Sequence, residues 1–410
     1  MHTLPLDGIR VIEVGTMIAA PYAAAILGDL GAAVVKLESP ESDALRQSAQ
    51  LSGTHFRFNE ANRNKQAICL DISRPGGQAV FRKLVAVSDV VICNLRPDVV
   101  DKLGLDYATL RESNETIIAV RLSAFGATGP HAGRRGTAPT IDGASGLATL
   151  NGYPGRDPLR PGGFYPDLTS ALFSVYGVLA ALRHRDITGE GQEIDVAMTE
   201  CADHLVGEAL MGLSFDRDAG PQGNAHPEHA PNNCYPCSAP DSWIALSVES
   251  EGDWERLRHC MGDPEWARAD RFATPAARKE HELALDHLVG EWTAGQEPSV
   301  VLDALRREGL AAALVANAGD ILQDRQLAHR RFFRMVTQPG SGTGPLPRIA
   351  FPSPFGRDWR ESPAPEFAQH NDAVFRDVLH LDAEQIERLY AEGASRRELR
   401  SQPRPGEARG

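Results

Sequence analysis

The chain has 410 residues, with 42 lysines and arginines against 55 aspartates and glutamates, and its formal charge at pH 7 is −13. This length is typical of about two or three domains. An apolar fraction of 42% is typical of a globular protein rather than a disordered one. The acidic balance argues against nucleic acid and anionic membranes as partners, because both are bound by basic surfaces.

Residues 9–121 alternate short apolar strands with helices. Strands that are apolar along their whole length and separated by helices are typical of a parallel sheet covered on both faces. The sequence therefore predicts a doubly wound α/β sheet, whose ligands bind outside the carboxyl ends of the strands. The predicted strands are 9–14, 32–37, 67–70, 89–93 and 116–121, and the predicted helices are 21–30 and 77–87.

The chain becomes irregular before it forms further helices. The segment 126–163 is rich in glycine and proline, and an irregular stretch of this length is more often functional than a spacer. A long apolar helix is predicted over 168–185, followed by a short strand and a helix over 197–213. A later strand is predicted over 243–247.

Composition divides the chain into a large domain that a smaller one interrupts. A loop-like stretch rich in proline is followed by predicted strands and helices of the kind found in a small α+β domain. The predicted parts are 1–214 for the first part of the large domain, 215–241 for a linker, 242–338 for the small domain, and 339–410 for the return to the large domain and the C-terminal tail.

Several classes of protein are excluded by what the sequence lacks. No apolar run of about 18 residues is present, so we expect no membrane span. The first residues, MHTLPLDGIRVIEV, show no basic stretch followed by an apolar one, so we expect no secretory signal. Six cysteines are too few for a disulfide scaffold in a chain of this length, which favours a reducing, cytoplasmic compartment.

Asp167, in the sequence GGFYPDLTSAL, is a candidate catalytic side chain. It stands where a turn rich in glycine and proline leads into the long apolar helix. An aspartate at this place is commonly an N-cap that only satisfies backbone N–H groups. The alternative is a carboxylate nucleophile, with the helix start stabilising negative charge. Composition alone leaves both interpretations open.

One string of histidines and cysteines could indicate a metal site or a redox pair. His226, His229, Cys234 and Cys237 form an HxxH–CxxC string whose spacing resembles a zinc site. Three prolines interrupt the string, and the single CxxC has no second half. We therefore predict no metal, and a Pro-rich loop is the simpler interpretation.

The first turn after a strand, VGTMIAAPY, bears on the cofactor. It lacks the GxGxxG pattern, so a nicotinamide dinucleotide is not predicted. Asparagine, lysine and arginine near strand ends nevertheless suit an anionic, nucleotide-like ligand. They could equally be ordinary loop residues. The residues concerned are Asn62, Asn64, Lys65, Leu70–Ser73, Asn94–Arg96 and Lys102.

Taken together, these residues resemble the family III CoA-transferases, a group that includes formyl-CoA transferase, carnitine CoA-transferase and α-methylacyl-CoA racemase. The resemblance covers nearly the whole chain, and the order and spacing of its segments make it specific. The segments include LPLDGIRVIEVGTMIAAPYAAAILGDLGAAVVKLESP, FNEANRNKQAICLDI, SDVVICNLRPDVVDKLGLDY, IIAVRLSAFGATGP, PDLTSALFSVYGVLAAL and MGDPEWARADRFATPAAR.

The resemblance implies a Rossmann-like large domain built from both chain ends, a small domain near 226–335, and an interlocked homodimer with its active site between domains of different subunits. It also implies that coenzyme A, bound as acyl-CoA, lies on the large domain. Where some members have an arginine beside the adenine, this chain has Ser39. The implied CoA contacts are Ile18, Ala19, Leu70, Asp71, Ile72, Ser73, Asn94, Leu95, Arg96, Lys102 and Thr137.

Asp167 aligns with the catalytic aspartate of this family, which implies that its carboxylate attacks an acyl-CoA thioester. A mixed anhydride and then an aspartyl-CoA thioester would form, and a small carboxylic acid would collect the CoA. The racemases carry a His-Asp pair where this chain has Thr137 and Ala138. A transferase is therefore favoured over a racemase, in which His131 would have to replace the missing base.

The identity of the acid is the least constrained prediction. A second carboxylate on the substrate would require cationic side chains near the site, and Arg46, His55 and Arg57 are the candidates, with Arg135 nearby. Their alternative role is surface solubility. A small dicarboxylic acid is the substrate that we expect. A dehydrogenase or a catalytically inactive CoA-binding protein are the alternatives from other classes.

Overall fold

The computed structural model describes residues 4–52, 56–216, 220–338, 341–353 and 359–399. Its strands are β1 (Arg10–Val14), β2 (Ala33–Glu38), β3 (Lys65–Cys69), β4 (Val90–Cys93), β5 (Ile118–Ser123), β6 (Glu193–Ala197), β7 (Asn232–Pro236), β8 (Trp243–Ser247), β9 (Ala311–Leu314), β10 (Phe333–Gln338) and β11 (Gly342–Pro347). Its α-helices are α1 (Ala19–Asp29), α2 (Ala44–Ser52), α3 (Phe56–Asn62), α4 (Pro75–Ala86), α5 (Pro97–Lys102), α6 (Tyr107–Ser113), α7 (Ala138–Ala144), α8 (Leu147–Leu150), α9 (Tyr165–Thr188), α10 (Met198–Asp203), α11 (Gly207–Leu213), α12 (Glu251–Cys260), α13 (Pro275–Glu280), α14 (Glu282–Ala294), α15 (Pro298–Arg307), α16 (Ala318–Gln323), α17 (Arg325–His329), α18 (Asn371–Ala373) and α19 (Ala383–Ala391). Short 3₁₀ helices span His204–Val206, Glu265–Arg268 and Asp270–Phe272, and a π-helix spans Val374–Val378.

The chain forms two compact units. The first consists of residues 1–147, 160–210 and 328–410, and the second of residues 148–159 and 211–327. The first unit therefore contains β1 to β6, and the second contains β7 to β9.

The first unit is built on a six-stranded parallel sheet with the order β3-β2-β1-β4-β5-β6. Val11 of β1 pairs with Val34 on one side and with Val90 on the other. Because both faces are covered, the strands are apolar nearly throughout. The predicted α/β fold with a doubly wound sheet is confirmed, and its strand order reverses between β1 and β4.

The two faces of the sheet form separate cores, since successive side chains of a strand point to opposite faces. Val11 faces α1 and α9, where it packs with Leu27 and Val178. Its neighbour Ile12 faces the other core, which includes Phe81 of α4 and the C-terminal Phe375. The C-terminal part of the chain thus completes the large unit.

The long helix α9 begins at Tyr165, earlier than predicted, with Pro166 in its first turn, where a missing N–H costs nothing. It ends at Gly189, whose φ of 78° is the left-handed conformation that favours glycine. The N-cap of this helix is Phe164, and Asp167 is the third residue of the helix. The interpretation of Asp167 as a plain N-cap is therefore wrong.

The second unit contains an antiparallel sheet of order β7-β8-β9, with helices α12, α14 and α15 packed in the same core. Strand β8 has the predicted bounds. Strand β7 lies inside the segment 215–241 that was predicted to be loop-like. Its sequence NNCYP has no apolar alternation, and it is held in place by pairing with β8 rather than by its own propensity.

Two further elements differ from prediction. The helix expected over 197–213 is interrupted by a 3₁₀ turn at His204–Val206, next to Asp203 and Gly207, which both have low helix propensity. A hairpin of β10 and β11 was not predicted, because β11 (GTGPLP) consists largely of glycine and proline. Among the described residues, no helix is long and apolar enough to cross a membrane.

Candidate active site

A cavity of about 250 Å³ opens at the carboxyl ends of β1, β4 and β5. It lies where the strand order reverses, the place where open α/β sheets bind ligands. We call it the Asp167 cavity. Its lining consists of Thr16, Met17, Ile18, Asn94–Pro97, Leu122–Ala124, Ala132, Arg134, Gly136–Ala138, Ile141, Phe164, Asp167 and Met198.

Among the described residues, Asp167 is the one acidic residue that lines this cavity. Burial raises the pKa of Asp167 to about 6, against the lowering effect of a hydrogen bond from its own backbone N–H. The negative charge of Asp142 raises the pKa further. The first turn of α9 thus presents a carboxylate that is ionised at neutral pH yet more basic than an ordinary aspartate.

Asp142 contributes this charge from a buried position on α7, where it is 1% exposed. The Nε of Arg160 donates a hydrogen bond of 2.8 Å to Asp142 Oδ2. Because the Arg160 side chain is 42% exposed, solvent screens its positive charge and the pair lies at the edge of the core. The pair therefore does not cancel the effect of Asp142 on Asp167.

The loop after β1 forms one wall of the cavity and is clamped to the loop after β4. The side-chain amide of Asn94 accepts a 2.9 Å hydrogen bond from the Thr16 N–H and donates one of 2.8 Å to the Thr16 carbonyl. Met17, the next residue, has a φ of 63°, a conformation that costs about 1–3 kcal/mol outside glycine. The surrounding contacts must therefore hold this loop in place.

A second cavity of about 310 Å³ lies at the carboxyl ends of β2 and β3, and we call it the Leu70 cavity. Thr16 and Leu95 line both cavities, so the two adjoin on either side of the loop after β1. Ser39 lies in the Leu70 cavity. Burial alone would raise the pKa of Asp71 there, but hydrogen bonds from Ser73 and Arg74 hold it below its usual range.

Most of the residues implied for CoA border these two cavities. Ala19 is instead buried in α1, and Lys102 is exposed at the end of α5, outside both linings. Ile18, Asn94, Leu95, Arg96 and Thr137 line the Asp167 cavity, and Leu70, Asp71, Ile72, Ser73 and again Leu95 line the Leu70 cavity.

Three polar side chains at the start of β3 do not face a ligand: those of Asn62 and Asn64, just before the strand, and of Lys65, its first residue. Each is 5% exposed or less, so the interpretation of these three as ligand contacts, one of the two that the sequence left open, is wrong. The amide of Asn64 donates to Asp29, and Lys65 Nζ donates to Glu13. Sequence cannot distinguish such buried partners from ligand contacts.

The cationic candidates for the substrate have different surroundings. Arg46 is buried, and its Nη2 lies 2.7 Å from Glu38 Oε1, so its guanidinium already has an anionic partner. Arg57 is exposed and lies 5.1 Å from the ring centroid of Phe164, a lining residue of the Asp167 cavity. His55 lies outside the described residues.

Arg134 is a residue of the Asp167 cavity that the sequence did not single out. It is exposed, and its side chain has no ion pair or hydrogen bond within the described residues. Arg96, the other arginine of the lining, is paired with Asp98 at 2.8 Å. One feature of the sequence could have indicated Arg134 as a site residue. It stands two residues before Gly136, in a segment rich in glycine.

No histidine lines the cavity in the part of the chain that is described. His131 instead packs edge-on against Phe125, with 6.0 Å between ring centroids. The rings of His226 and His229 stack on each other, and Cys234 and Cys237 are free thiols. Over the described ranges, no group of three or more His, Cys, Asp or Glu is placed to hold a metal ion.

Comparison with known proteins gives a consistent result. The profile of CoA-transferase family III matches residues 6–371. A succinyl-CoA–D-citramalate CoA-transferase of Chloroflexus aurantiacus is 32% identical over 94% of this chain and 97% of its own. A succinate–glutarate CoA-transferase of Agrobacterium fabrum is 31% identical over 92% of this chain and 96% of its own. The crystal structure of a CAIB/BAIF family protein from Brucella suis superposes with a TM-score of 0.85 at 32% identity, covering 92% of this chain and 100% of that one.

The raised pKa of Asp167 can be measured directly. In protein labelled with ¹³C at the aspartate γ-carbons, the Asp167 signal should titrate with a midpoint near pH 6, because burial favours its neutral form. The signal is assigned by its loss in Asp167→Asn. Asp142→Asn should move the midpoint to lower pH, since one nearby negative charge is removed. A midpoint near the ordinary aspartate value of about 4 would contradict this.

Proposed function

The chain belongs to CoA-transferase family III, and from this premise we propose that it transfers CoA from succinyl-CoA to a small dicarboxylic acid through covalent adducts on Asp167. The observation that carries the proposal is the position of Asp167, in a cavity at the carboxyl edge of the sheet. The relatives named above act on succinyl-CoA with citramalate, or on succinate with glutarate. All of these acids carry two carboxylates.

CoA would lie along the carboxyl edge of the sheet. Its nucleotide end would occupy the Leu70 cavity and its thioester the Asp167 cavity, with the chain between them crossing at Thr16 and Leu95. This arrangement is supported by the fact that the two cavities adjoin. It uses Ile18, Asn94 and Thr137 near the thioester, with Lys102 outside the cavities as a cation for a phosphate.

The first half-reaction would load CoA onto the enzyme. An Asp167 oxygen attacks the thioester carbonyl of succinyl-CoA, and the C–S bond breaks to give a succinyl-aspartyl anhydride and CoA thiolate. The thiolate then attacks the Asp167 γ-carbon, releasing succinate and leaving an aspartyl-CoA thioester. No net proton is taken up.

The second half-reaction repeats these steps in reverse order with the acceptor. Its carboxylate attacks the aspartyl-CoA thioester, expelling the thiolate and forming a second anhydride. The thiolate then attacks the acceptor's acyl carbon, giving the new acyl-CoA and the free Asp167 carboxylate. Partial burial of Asp167 favours this chemistry, because these intermediates hydrolyse if water reaches them.

A racemase is a weaker candidate for this cavity. Racemisation requires two bases on opposite faces of the α-carbon. Thr137 and Ala138 line the Asp167 cavity where a racemase has its His-Asp pair, and neither can act as a base. His131 lies against Phe125, outside the described lining. A single basic group, Asp167, suits acyl transfer better.

We also propose a reducing compartment, the cytoplasm, for this enzyme. All six cysteines lie in the described residues and are free thiols. Extracellular proteins with this many cysteines commonly pair them.

Removing the nucleophile tests the proposed mechanism. Asp167→Ala should lower kcat for CoA transfer from succinyl-CoA to glutarate by more than about a thousandfold, the scale of loss when a covalent nucleophile is removed. It should retain CoA binding. Asp186→Ala, which changes an exposed aspartate at the far end of the same helix, is the matched control.

Two outcomes would contradict the mechanism. One is an Asp167→Ala enzyme that still transfers CoA at the wild-type rate. The other is deuterium incorporation at the α-carbon of a 2-methylacyl-CoA in D₂O by the wild-type enzyme without any CoA transfer, which would indicate a racemase.

Arg134 is the side chain that we propose for the second carboxylate of the acid, because it lines the cavity and has no anionic partner among the described residues. Arg134→Gln should raise KM for glutarate by about 10- to 100-fold, the value of a charged hydrogen bond. KM for a monocarboxylic acid should not change. Arg135→Gln, at the adjacent exposed arginine, should leave the KM for glutarate unaltered. Equal effects on both acids in Arg134→Gln would contradict this role.

A homodimer is the assembly that we propose, because α9 exposes an apolar stripe. Leu168, Leu172, Tyr176 and Leu179 follow helical spacing on the face opposite its core, and Tyr176 is 73% exposed. An exposed stripe of this kind commonly marks an interface. We assign a second copy of the chain to this stripe, because the family resemblance implies a homodimer.

The dimer proposal is tested by light scattering after size exclusion. The wild type should have twice the mass of the 44.4 kDa chain. Tyr176→Asp should be monomeric, because a charge cannot be buried there without a partner. Val87→Asp, an exposed apolar residue at the end of α4, is the control and should stay dimeric. A monomeric wild type would contradict the proposal.

A further inference from the structure

Four charged side chains are buried together below the carboxyl edge of the sheet. They are Glu13 of β1, Lys36 of β2, Asp43 after β2, and Lys65 of β3, and we call them the buried quartet. None is more than 5% exposed, and Glu13 and Lys36 are not exposed at all. The quartet contains two basic and two acidic side chains, and burial lowers the pKa of Lys65 to about 7 against the opposing charge of Glu13.

The quartet is connected by short contacts. Lys36 Nζ donates to Glu13 Oε1 at 3.1 Å and to Asp43 Oδ2 at 2.9 Å. Four acceptors lie within hydrogen-bond distance of Lys65 Nζ, which has three N–H groups: Glu13 Oε2 at 3.1 Å, Asn62 Oδ1 at 2.9 Å and two backbone carbonyls. Burial alone would lower the pKa of Lys36, but Asp43 and Glu13 raise it well above its usual range, so its ammonium stays charged.

The transfer reaction proposed above does not use Glu13, Lys36 or Lys65, and none of the three lines either cavity. Buried ion pairs are often no more stabilising than apolar residues of the same volume. Contribution to stability is therefore a weak reason for their presence. Their contacts with the loop after β1 suggest another reason.

Both polar backbone atoms of Gly15 are held by the quartet. Glu13 Oε1 accepts a 2.9 Å hydrogen bond from the Gly15 N–H, and Lys36 Nζ donates one of 3.2 Å to the Gly15 carbonyl. A Cβ on Gly15 would lie 2.6 Å from Glu13 Oε1, so the carboxylate packs directly on the glycine. Thr16, the next residue, has its N–H and carbonyl held by Asn94.

The backbone polar groups of Gly15 and Thr16 are thus fixed by side chains of the buried quartet and by Asn94 in the loop after β4. This matters because Met17 directly follows with its left-handed φ of 63°. Without these contacts, the backbone could relax to an ordinary conformation. Residues 16–18 would then no longer form the wall of the Asp167 cavity.

We propose that Glu13 and Lys36 are positioning residues, which hold the loop at 15–18 in its CoA-binding conformation before CoA arrives. This inference rests on the proposed placement of CoA across Thr16. A loop that is fixed in advance loses less conformational freedom on binding, so affinity for CoA increases. The affinity for the acid, which binds beyond the thioester, would increase much less.

The double variant Glu13→Gln/Lys36→Met tests this role. It removes one buried acidic and one buried basic side chain together, so the formal net charge of the chain does not change, and neither altered residue lines a cavity. We expect calorimetric Kd for CoA, and KM for succinyl-CoA, to rise by about 10- to 100-fold, as for a displaced binding element. KM for glutarate should change less than about twofold.

The matched control is Asp29→Asn/Arg63→Met. Asp29 and Arg63 are 3% and 4% exposed. Arg63 Nε donates to Asp29 Oδ1 at 3.0 Å, which joins the last residue of α1 to the residue after α3, away from the loop at 15–18. The control should bind CoA with the wild-type Kd. If both double variants lose CoA affinity equally, or if neither does, the inference is overturned. A wild-type enzyme that fails to bind CoA would instead overturn the proposed CoA site.

A measurement on the wild type applies even if the double variant does not fold. In hydrogen exchange of the ligand-free enzyme, the amides of Gly15 and Thr16 should already be protected, and CoA should change their rates by less than about twofold. Fast exchange that slows strongly on adding CoA would mean that the ligand orders the loop. That result would overturn the role of Glu13 and Lys36.

Discussion

The site depends on the reversal of strand order between β1 and β4. Helix α1 leaves β1 on one face of the sheet, and the connection after β4 packs on the other. The two loops therefore diverge at the carboxyl edge, and a crevice opens between them. Each other feature of the site supplies something to this crevice: a wall from the loop after β1, an amide clamp from Asn94, and a carboxylate from α9.

The position of Asp167 follows from how α9 packs. Its buried stripe of small and branched residues, including Ala171, Val178 and Ala181, fits against α1 and the sheet. This packing fixes the first turn at the mouth of the crevice. Burial there outweighs the stabilising field of the helix start, so the carboxylate is more basic than usual. A more basic carboxylate is a better nucleophile, provided that it remains ionised at working pH.

Much of the fold follows from the sequence, because parallel strands buried on both faces must be apolar throughout. IRVIEV, AAVVKL and DVVIC are recognisable for this reason, and Pro and Gly mark the ends of α1 and α9. Strand β7 and the β10–β11 hairpin were missed, since pairing with a neighbour, rather than local propensity, makes them strands. Asp167 stands out in the sequence as a candidate because a turn, a helix start and a family pattern coincide on one residue.

The charged residues near the site were harder to predict. Lys36 and Glu13 lie in apolar strands, and only their register across β1 and β2 shows that they face each other. Arg46 and Arg134 look alike in sequence, yet one is paired with Glu38 and the other lines the cavity. Whether a cation meets a ligand or a buried acid is decided by contacts between distant segments. Periodicity and composition contain no information on such contacts.

The proposed function depends most on Asp167 carrying the CoA as a covalent thioester. The most direct measurement is mass spectrometry of the intact enzyme after mixing with succinyl-CoA and no acceptor, followed by peptide mapping. We expect the peptide that contains Asp167 to gain the mass of CoA less one water, in an adduct that hydroxylamine converts to a hydroxamate and that glutarate discharges. Transfer of CoA to glutarate with no adduct at Asp167, or with the adduct on another residue, would contradict it.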